Sequence, residues 1–376
     1  RLGALVQRFP RLQLSDARSA LKALARNAGS GADRFRNEYL FRLVRGEMAG
    51  NVRNQALEAW GNFADHVSNA DFPPWFYTVW TTVVQFAPVK SLGATPAQHD
   101  VRPVGCGGAG RRAIGRMVLA VKRQALRAQC EPVQLGQGTS AGTQAHGFIV
   151  RIHMQLYPTH ICVKVDFCNA FNAIERARMV EAFANDTELN DMHRYMESHL
   201  RPRSRIYYLS GGCLIRAEYD SVQGGQQGAF EASSGFNKTT KRLFDAADST
   251  LAPAGGCARA TCDDLTLCGP ARIVWEVLAV LKRDAKAQLG LDLQETKTEY
   301  HAPTGAAGDV PPGVKEGSNV GTTAGRAGVV GRGLVIAGTP VGDADFDLNF
   351  VKSEVDRVIG LIDPLASASK MEPAKA

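Results

Sequence analysis

The stretch Val163-Lys164-Val165-Asp166-Phe167-Cys168-Asn169-Ala170-Phe171-Asn172 constrains this chain more than any other. Ile161, Val163 and Val165 alternate with Cys162, Lys164 and Asp166, the two-residue period of a strand with two unlike faces. The strand ends on a carboxylate, and a helical run from Ile174 to Phe183 follows. A carboxylate at the end of a buried strand is costly unless a cation meets it. A second acidic feature, Asp263-Asp264, begins 97 positions after Asp166, inside the segment 257–268. Small and apolar residues flank it on both sides, which predicts a short hairpin with the two Asp at its tip. One Asp from a strand end and two from a hairpin tip can hold two divalent cations, the arrangement used for in-line phosphoryl transfer.

Composition sets the frame for that proposal. A chain of 376 residues buries a large core and is expected to hold two or three subdomains. Its 44% hydrophobic and 22% charged residues are ordinary for a globular protein. The net charge of +7 suits a polyanionic partner, although a merely basic protein has the same charge. Eight cysteines (106, 130, 162, 168, 213, 257, 262 and 268) show neither a C-x-x-C pair nor zinc spacing, and read as buried free thiols in a reducing compartment. No apolar run approaches the roughly 18 residues of a membrane span, so no membrane partner is expected. The chain begins at Arg1 without a Met, so the natural N-terminus and any targeting segment are expected upstream. The expected setting is intracellular, the nucleus included.

Taken in order, residues 1–75 read as a helical extension, with Leu57, Trp60, Phe63, Ala64 and Val67 on one helix face. Arg34, Arg36, Arg42 and Arg45 precede that helix as a solvated charged face or a nucleic-acid contact. Asp71-Phe72-Pro73-Pro74 breaks it. Thr78 to Val89 is β-branched and aromatic, hence strand-like. A hairpin then carries Lys90 on one arm and Arg102 on the other. A helix follows with Ile114, Met117, Val118, Val121 and Ala125 on one face and Arg111, Arg112, Arg116, Lys122 and Arg123 around it. The glycine-rich loop 134–142 is a weak phosphate-cradle signal, since it lacks the Gly-Lys-Ser/Thr ending of a P-loop.

Beyond the central strand, 205–209 and 213–218 give a hairpin signal, followed by a helix through Phe244. A helix over 271–289 puts Val274, Val277, Leu278, Leu281 and Ala285 on one face, with Gly290 as its C-terminal cap. Lys297 to Tyr300 reads as a turn into a strand. Residues 305–333, rich in Gly, Pro, Ala and Thr, read as a mobile insertion. A strand at 334–337 leads into Gly338-Thr339-Pro340-Val341-Gly342, then a last helix over 349–361 and a disordered tail from Ala366.

The order of these motifs resembles the reverse transcriptase domain of non-LTR retrotransposons and, more loosely, group II intron and retron enzymes. DFCNAFN (166–172) is similar to the family's motif A, SVQGGQQG with Phe236 to motif B, and TCDDL (261–265) to motif C. GLDLQETKTE (290–299) resembles motif D, and AGTPVG (337–342) the primer-grip region. RPVG (102–105) and QLGQGTSAGTQA (134–145) resemble the fingers motifs, and the likeness spans roughly residues 80–362.

The resemblance implies an α+β right-hand polymerase: fingers at 76–160 with a segment of about 221–245, a palm of antiparallel sheet and helices at 161–345, and a truncated thumb within 346–376. It implies RNA-templated addition of dNTPs to a DNA primer with two Mg²⁺ ions, Mn²⁺ being the alternative. Asp166 and Asp263 match the metal ligands, with Asp264 as the supporting catalytic carboxylate. Phe171 matches the aromatic that excludes a ribose 2′-OH; otherwise it is a core Phe. Arg102 matches the guanidinium that grips the triphosphate, and Lys90 is a looser candidate beside it, read equally well as an exposed loop Lys. Gln227 and Gly228 match the motif B pair, where glycine lets the backbone approach nucleotide and template. Lys297 matches the Lys that neutralises or protonates the leaving pyrophosphate, with a surface strand Lys as the alternative. Gly338, Thr339 and Pro340 match the segment along the primer.

Three of the motifs depart from the family's pattern. Ala229-Phe230 stand where Asp-Pro is usual, Thr261-Cys262 precede the Asp pair in place of an aromatic and Ala or Met, and Gln294 replaces Asn. These suggest a divergent, even decaying, element; the chain also stops soon after the first thumb-like helix without an endonuclease, RNase H or zinc-knuckle signature, so a fragment of a larger polyprotein is expected. The rival readings are a catalytically silent nucleic-acid-binding domain and an RNA-dependent RNA polymerase, which Phe171 disfavours.

Overall fold

The computed structural model describes residues 7–26, 31, 33–45, 49–86, 89–91, 100–101, 104–168, 170–201, 204–208, 214–217, 228–317 and 331–371. For 85–86, 90–91, 100–101, 104, 171–172, 204–208, 214–217, 228–232, 361 and 363–371 only the backbone is described. The fold is α+β, and its contacts divide it into two compact units. Residues 1–131, 168–242 and 286–291 form the first, and 132–167, 243–285 and 292–376 the second.

The first unit opens with α1 (Leu14–Lys22), α2 (Asn37–Phe41) and α3 (Gly50–Ser68). Leu57, Ala64 and Val67 are buried along one face of α3, as their helical spacing predicts. The strand expected over Thr78–Val89 is shorter than its composition suggests. Residues Pro74–Trp80 form a helix, α4, and only Val83–Phe86 make the strand β1. Pro74 sits at the first helical position, where a missing N–H is no loss, and Phe76 stacks on Trp80 one turn later at 5.5 Å between ring centroids. Next come β2 (Val89–Ser91), β3 (Asp100–Val101), β4 (Val104–Gly107) and α5 (Ala109–Cys130). Lys90 lies in β2, and β2 pairs antiparallel with β3 as expected. On α5, Ile114, Met117 and Val118 are buried, but so are Arg111 and Arg112 of the arginines placed around it. Arg112 donates to the Gly107 carbonyl at 3.1 Å and to Asn37 Oδ1 at 2.8 Å, so both of its terminal nitrogens find acceptors inside.

The remaining elements are α6 (Gly142–Leu156), β5 (Ile161–Val165), α7 (Ala170–Ala173), α8 (Arg176–Ala184), α9 (His193–Leu200), β6 (Ser204–Tyr208), β7 (Leu214–Ala217) and α10 (Gly228–Leu251). They continue with β8 (Cys257–Thr261), β9 (Asp264–Gly269), α11 (Ala271–Leu289), β10 (Glu299–His301), β11 (Lys315–Glu316), β12 (Gly333–Ile336), β13 (Thr339–Gly342) and α12 (Ala344–Met371). In the first unit the strands are ordered β4-β1-β6-β7, with β1 parallel to β6 and antiparallel to β4.

The second unit is built on the sheet β11-β10-β5-β9-β8. Its central pairings, β10–β5, β5–β9 and β9–β8, are all antiparallel. One face carries Cys162, Cys257 and Cys268, which pack on Val150 and Met154 of α6 and on Leu334, Ile336 and Val341 of β12 and β13. On the other face Trp275 of α11 meets Tyr300 of β10 edge-on at 5.7 Å between centroids. Every described cysteine is free, Cys168 is exposed, and four are buried. Gly290 (φ +72°) ends α11 in the left-handed conformation expected of a C-terminal cap. Ala337 (φ +49°) and Gly338 (φ +81°) make the tight turn between β12 and β13, with positive φ at both central residues.

The last helix is longer than its periodicity suggests. Asp343 caps it by accepting from the Phe346 N–H at 2.8 Å, and the tail expected to be disordered from Ala366 is helical through Met371. Val351, Val355, Val358 and Ile362, the apolar stripe of α12, are exposed. Of the glycine-rich stretch 305–333, residues 318–330 lie outside the described residues, and Lys315–Glu316 form β11.

Gly147 of α6 lies tight against the β12–β13 hairpin. A Cβ there would lie 2.2 Å from Thr339 Oγ1 and 2.8 Å from the Ile336 carbonyl. Gly147→Ala is therefore expected to lower stability by about 1–3 kcal/mol, against a neutral or stabilising effect at an open helical site. Thermal or denaturant unfolding of the variant checks this, and an unchanged midpoint contradicts it.

Candidate active site

The carboxylates singled out in the sequence meet in the second unit because of one strand register. β5 and β9 pair Ile161 with Gly269 through Val165 with Leu265. Continuing that register by one residue places Asp166, just past β5, opposite Asp264, the first residue of β9. β8 and β9 close with Thr261 opposite Asp264, so Cys262 and Asp263 form a two-residue loop. Asp166 and Asp263 are half-buried and Asp264 is exposed. Among the described residues no cation or hydrogen-bond donor meets the Asp166 carboxylate. Directly opposed residues in an antiparallel pair have Cβ atoms about 4.5–5.5 Å apart, and like charges there repel. The sheet thus presents concentrated negative charge at one end.

The Asp166 backbone is held from a third strand. Its N–H donates to Thr298 Oγ1 at 3.3 Å, and its carbonyl accepts from the Gln294 N–H at 2.8 Å. Thr298 is fully buried and donates in turn to the Gln294 carbonyl at 3.0 Å. Lys297 sits beside Thr298 in a short 3₁₀ turn (Glu295–Lys297), exposed and just ahead of β10 rather than within a strand. The segment expected to serve the leaving group therefore packs against the end of the central strand.

The carboxylate turn is held from below. Cys262 has φ +57°, a left-handed conformation that costs a non-glycine residue on the order of 1–3 kcal/mol and persists only where the surroundings impose it. Gln134 is 3% exposed, and its carboxamide bonds both peptide groups of Cys262. His146 of α6, fully buried, lies 3.0 Å from Thr261 Oγ1 through Nδ1 and 3.0 Å from Thr266 Oγ1 through Nε2. It thereby ties the last residue of β8 to β9. A neutral imidazole offers one donor and one acceptor, and the two hydroxyls can supply the complements. Burial, helped by the charge of Arg259, pushes its pKa down to about 4 and keeps it neutral.

The other expected site residues fall as follows. Gly338 lies at the β12–β13 turn, and Thr339 and Pro340 on β13, in the same unit as the carboxylates. Phe171 lies on α7 and Lys90 on β2, both in the first unit and described by backbone alone. Gly228 is the first residue of α10, also as backbone. Arg102 and Gln227 lie outside the described residues. Gln134, His146 and Thr298 join the site although no sequence motif assigns them a role there. The glycine pattern marked the loop holding Gln134, but what that loop seats is the carboxylate hairpin.

Among the described residues, no three His, Cys, Asp or Glu side chains come close enough together to hold a metal ion by themselves. Carboxylate oxygens on adjacent strand ends nonetheless fit a hard cation, and Mg²⁺ typically takes only one or two protein carboxylates, completing its shell with water and substrate phosphate. Among the described residues no helix is long and apolar enough to cross a membrane. No protein-family model matches the chain, and no curated protein matches it.

The burial of His146 predicts a pH dependence. The folded side chain takes up its proton only near pH 4, whereas an unfolded His does so near 6.5. Between those values the unfolded chain binds more protons, so stability falls as pH drops from about 6.5 to about 4, by roughly 3 kcal/mol. His146→Gln should be less stable at neutral pH and lose less on acidification than the natural chain, as measured by thermal melts at pH 7 and 4.5. Equal losses in both proteins contradict this.

Proposed function

We propose that this chain is the RNA-directed DNA polymerase domain of a non-LTR retrotransposon-like element, with palm, fingers and the start of a thumb. The observation that carries this reading is the register that sets Asp166 opposite Asp264 with Asp263 in the adjoining turn. Adjacent strand ends bearing carboxylates suit nucleotidyl transfer, in which two divalent cations lower the charge on the attacking 3′-OH and on the leaving pyrophosphate.

This chain's own residues then take these roles. Asp166 and Asp263 would hold the cations, and Asp264 would share the charge beside them. Lys297, which directly precedes the Thr298 that holds the Asp166 backbone, would neutralise or protonate pyrophosphate. Phe171, five residues after Asp166, would exclude a ribose 2′-OH, so dNTPs are the substrates. Arg102, with Lys90, would grip the triphosphate; Gln227 and Gly228 would border the nucleotide and template; Gly338, Thr339 and Pro340 would lie along the primer. The net charge of +7 favours a template–primer held through its backbone.

A second reading, a catalytically silent domain that only binds nucleic acid, draws on the lack of a three-ligand cluster among the described residues and on Ala229-Phe230. Primer extension on an RNA template with Mg²⁺ and dNTPs separates the two. The natural chain should extend the primer, and Asp263→Ala should lose about a hundredfold or more in rate. Salt-sensitive binding of the primer–template without extension favours the silent domain instead. Phe171→Ala should raise the use of NTPs relative to dNTPs about tenfold or more; an unchanged ratio removes Phe171 from sugar selection.

A further inference from the structure

The turn that presents Asp263 is not held by its own hairpin alone. Residues 133–135 run beside β8, with the Leu135 N–H donating to the Ala260 carbonyl and the Ala260 N–H to the Val133 carbonyl, both at 2.8 Å. That pairing delivers Gln134 to the turn. Gln134 Nε2 donates to the Cys262 carbonyl at 2.9 Å, and Gln134 Oε1 accepts from the Cys262 N–H at 2.7 Å and the Gly136 N–H at 3.0 Å. A side-chain amide thus meets one backbone residue at both its donor and its acceptor. Gly136 leaves room for this: a Cβ there would stand 2.8 Å from the Cys262 nitrogen. The residue so gripped is the one in the left-handed conformation, immediately before Asp263.

We infer that Gln134 is a positioning residue, which holds Cys262 left-handed and so fixes the direction in which Asp263 is presented to a divalent cation. This rests on the polymerase reading for the use of Asp263, but the clamp itself does not. Gln134 is buried behind the turn and is not assigned a contact with substrate. Without its carboxamide, Cys262 is free to relax toward negative φ, and the Asp263 carboxylate swings with it. Cys262→Gly removes the conformational penalty, because glycine adopts positive φ without strain.

The test uses the full chain as Gln134→Ala, Gln134→Glu and the double variant Gln134→Ala/Cys262→Gly. Gln134→Glu keeps the acceptor for the Cys262 N–H and loses only the donor to its carbonyl, so it serves if the alanine variant fails to fold. Hydrogen exchange at residues 261–264 should quicken about tenfold in Gln134→Ala while β5 and β9 stay protected. The Mg²⁺ concentration for half-maximal primer extension should rise about tenfold, and Cys262→Gly should restore part of that shift. Unchanged exchange at the turn in a folded variant overturns the inference. So does faster exchange with an unmoved Mg²⁺ midpoint, since Gln134 would then stabilise the turn without positioning Asp263. A natural chain that extends no primer, yet shows the exchange difference, overturns the polymerase reading and leaves the clamp standing.

Discussion

The antiparallel pairing of Ile161–Val165 with Asp264–Gly269 is the contact on which the second unit depends. It buries Val163, Val165, Leu265 and Leu267 on one side of the sheet and Cys162 and Cys268 on the other. Strand alternation makes that register hard to slip, since a shift of one residue would exchange the side chains packed on the two covered faces of the sheet. The same register carries Asp166 past the end of its strand to a position opposite Asp264. Core packing and the placement of the carboxylates are therefore one constraint.

Concentrating carboxylates at a sheet end works against stability, and the surrounding contacts offset it. Thr298 and Gln294 hold the backbone of Asp166. His146 ties Thr261 to Thr266, and Gln134 grips Cys262. The first pair fixes the peptide of Asp166 itself, and the others fix residues flanking Asp263 and Asp264. Backbone held in this way gives the acidic residues at the sheet end a fixed scaffold.

Much of this was legible in the sequence because it rests on local pattern. The alternation at 161–166, the hairpin around Asp263-Asp264, the α11 face with Gly290, and the β12–β13 turn each follow from residues close together in the chain. The exceptions have a common origin in contacts between distant segments. Thr78, Val79 and Trp80 favour a strand by composition, yet Pro74 and the stacking of Phe76 on Trp80 make a helix. Arg112 belongs by type on a surface but is buried against Asn37, 75 positions away. Gln134 meets Cys262 across 128 positions and Thr298 meets Asp166 across 132, and no short motif encodes either contact. The glycines around Gln134 signalled a close approach, though not what was approached.

In the proposed polymerase, Asp166, brought opposite Asp264, would complete a divalent-cation site. Mn²⁺ binding followed by electron paramagnetic resonance, with a dNTP present, tests it most directly. The natural chain should immobilise Mn²⁺, and Asp166→Asn, which keeps the shape and removes the charge, should weaken that binding about tenfold or more. Equal binding by both proteins, or none by the natural chain, contradicts the account.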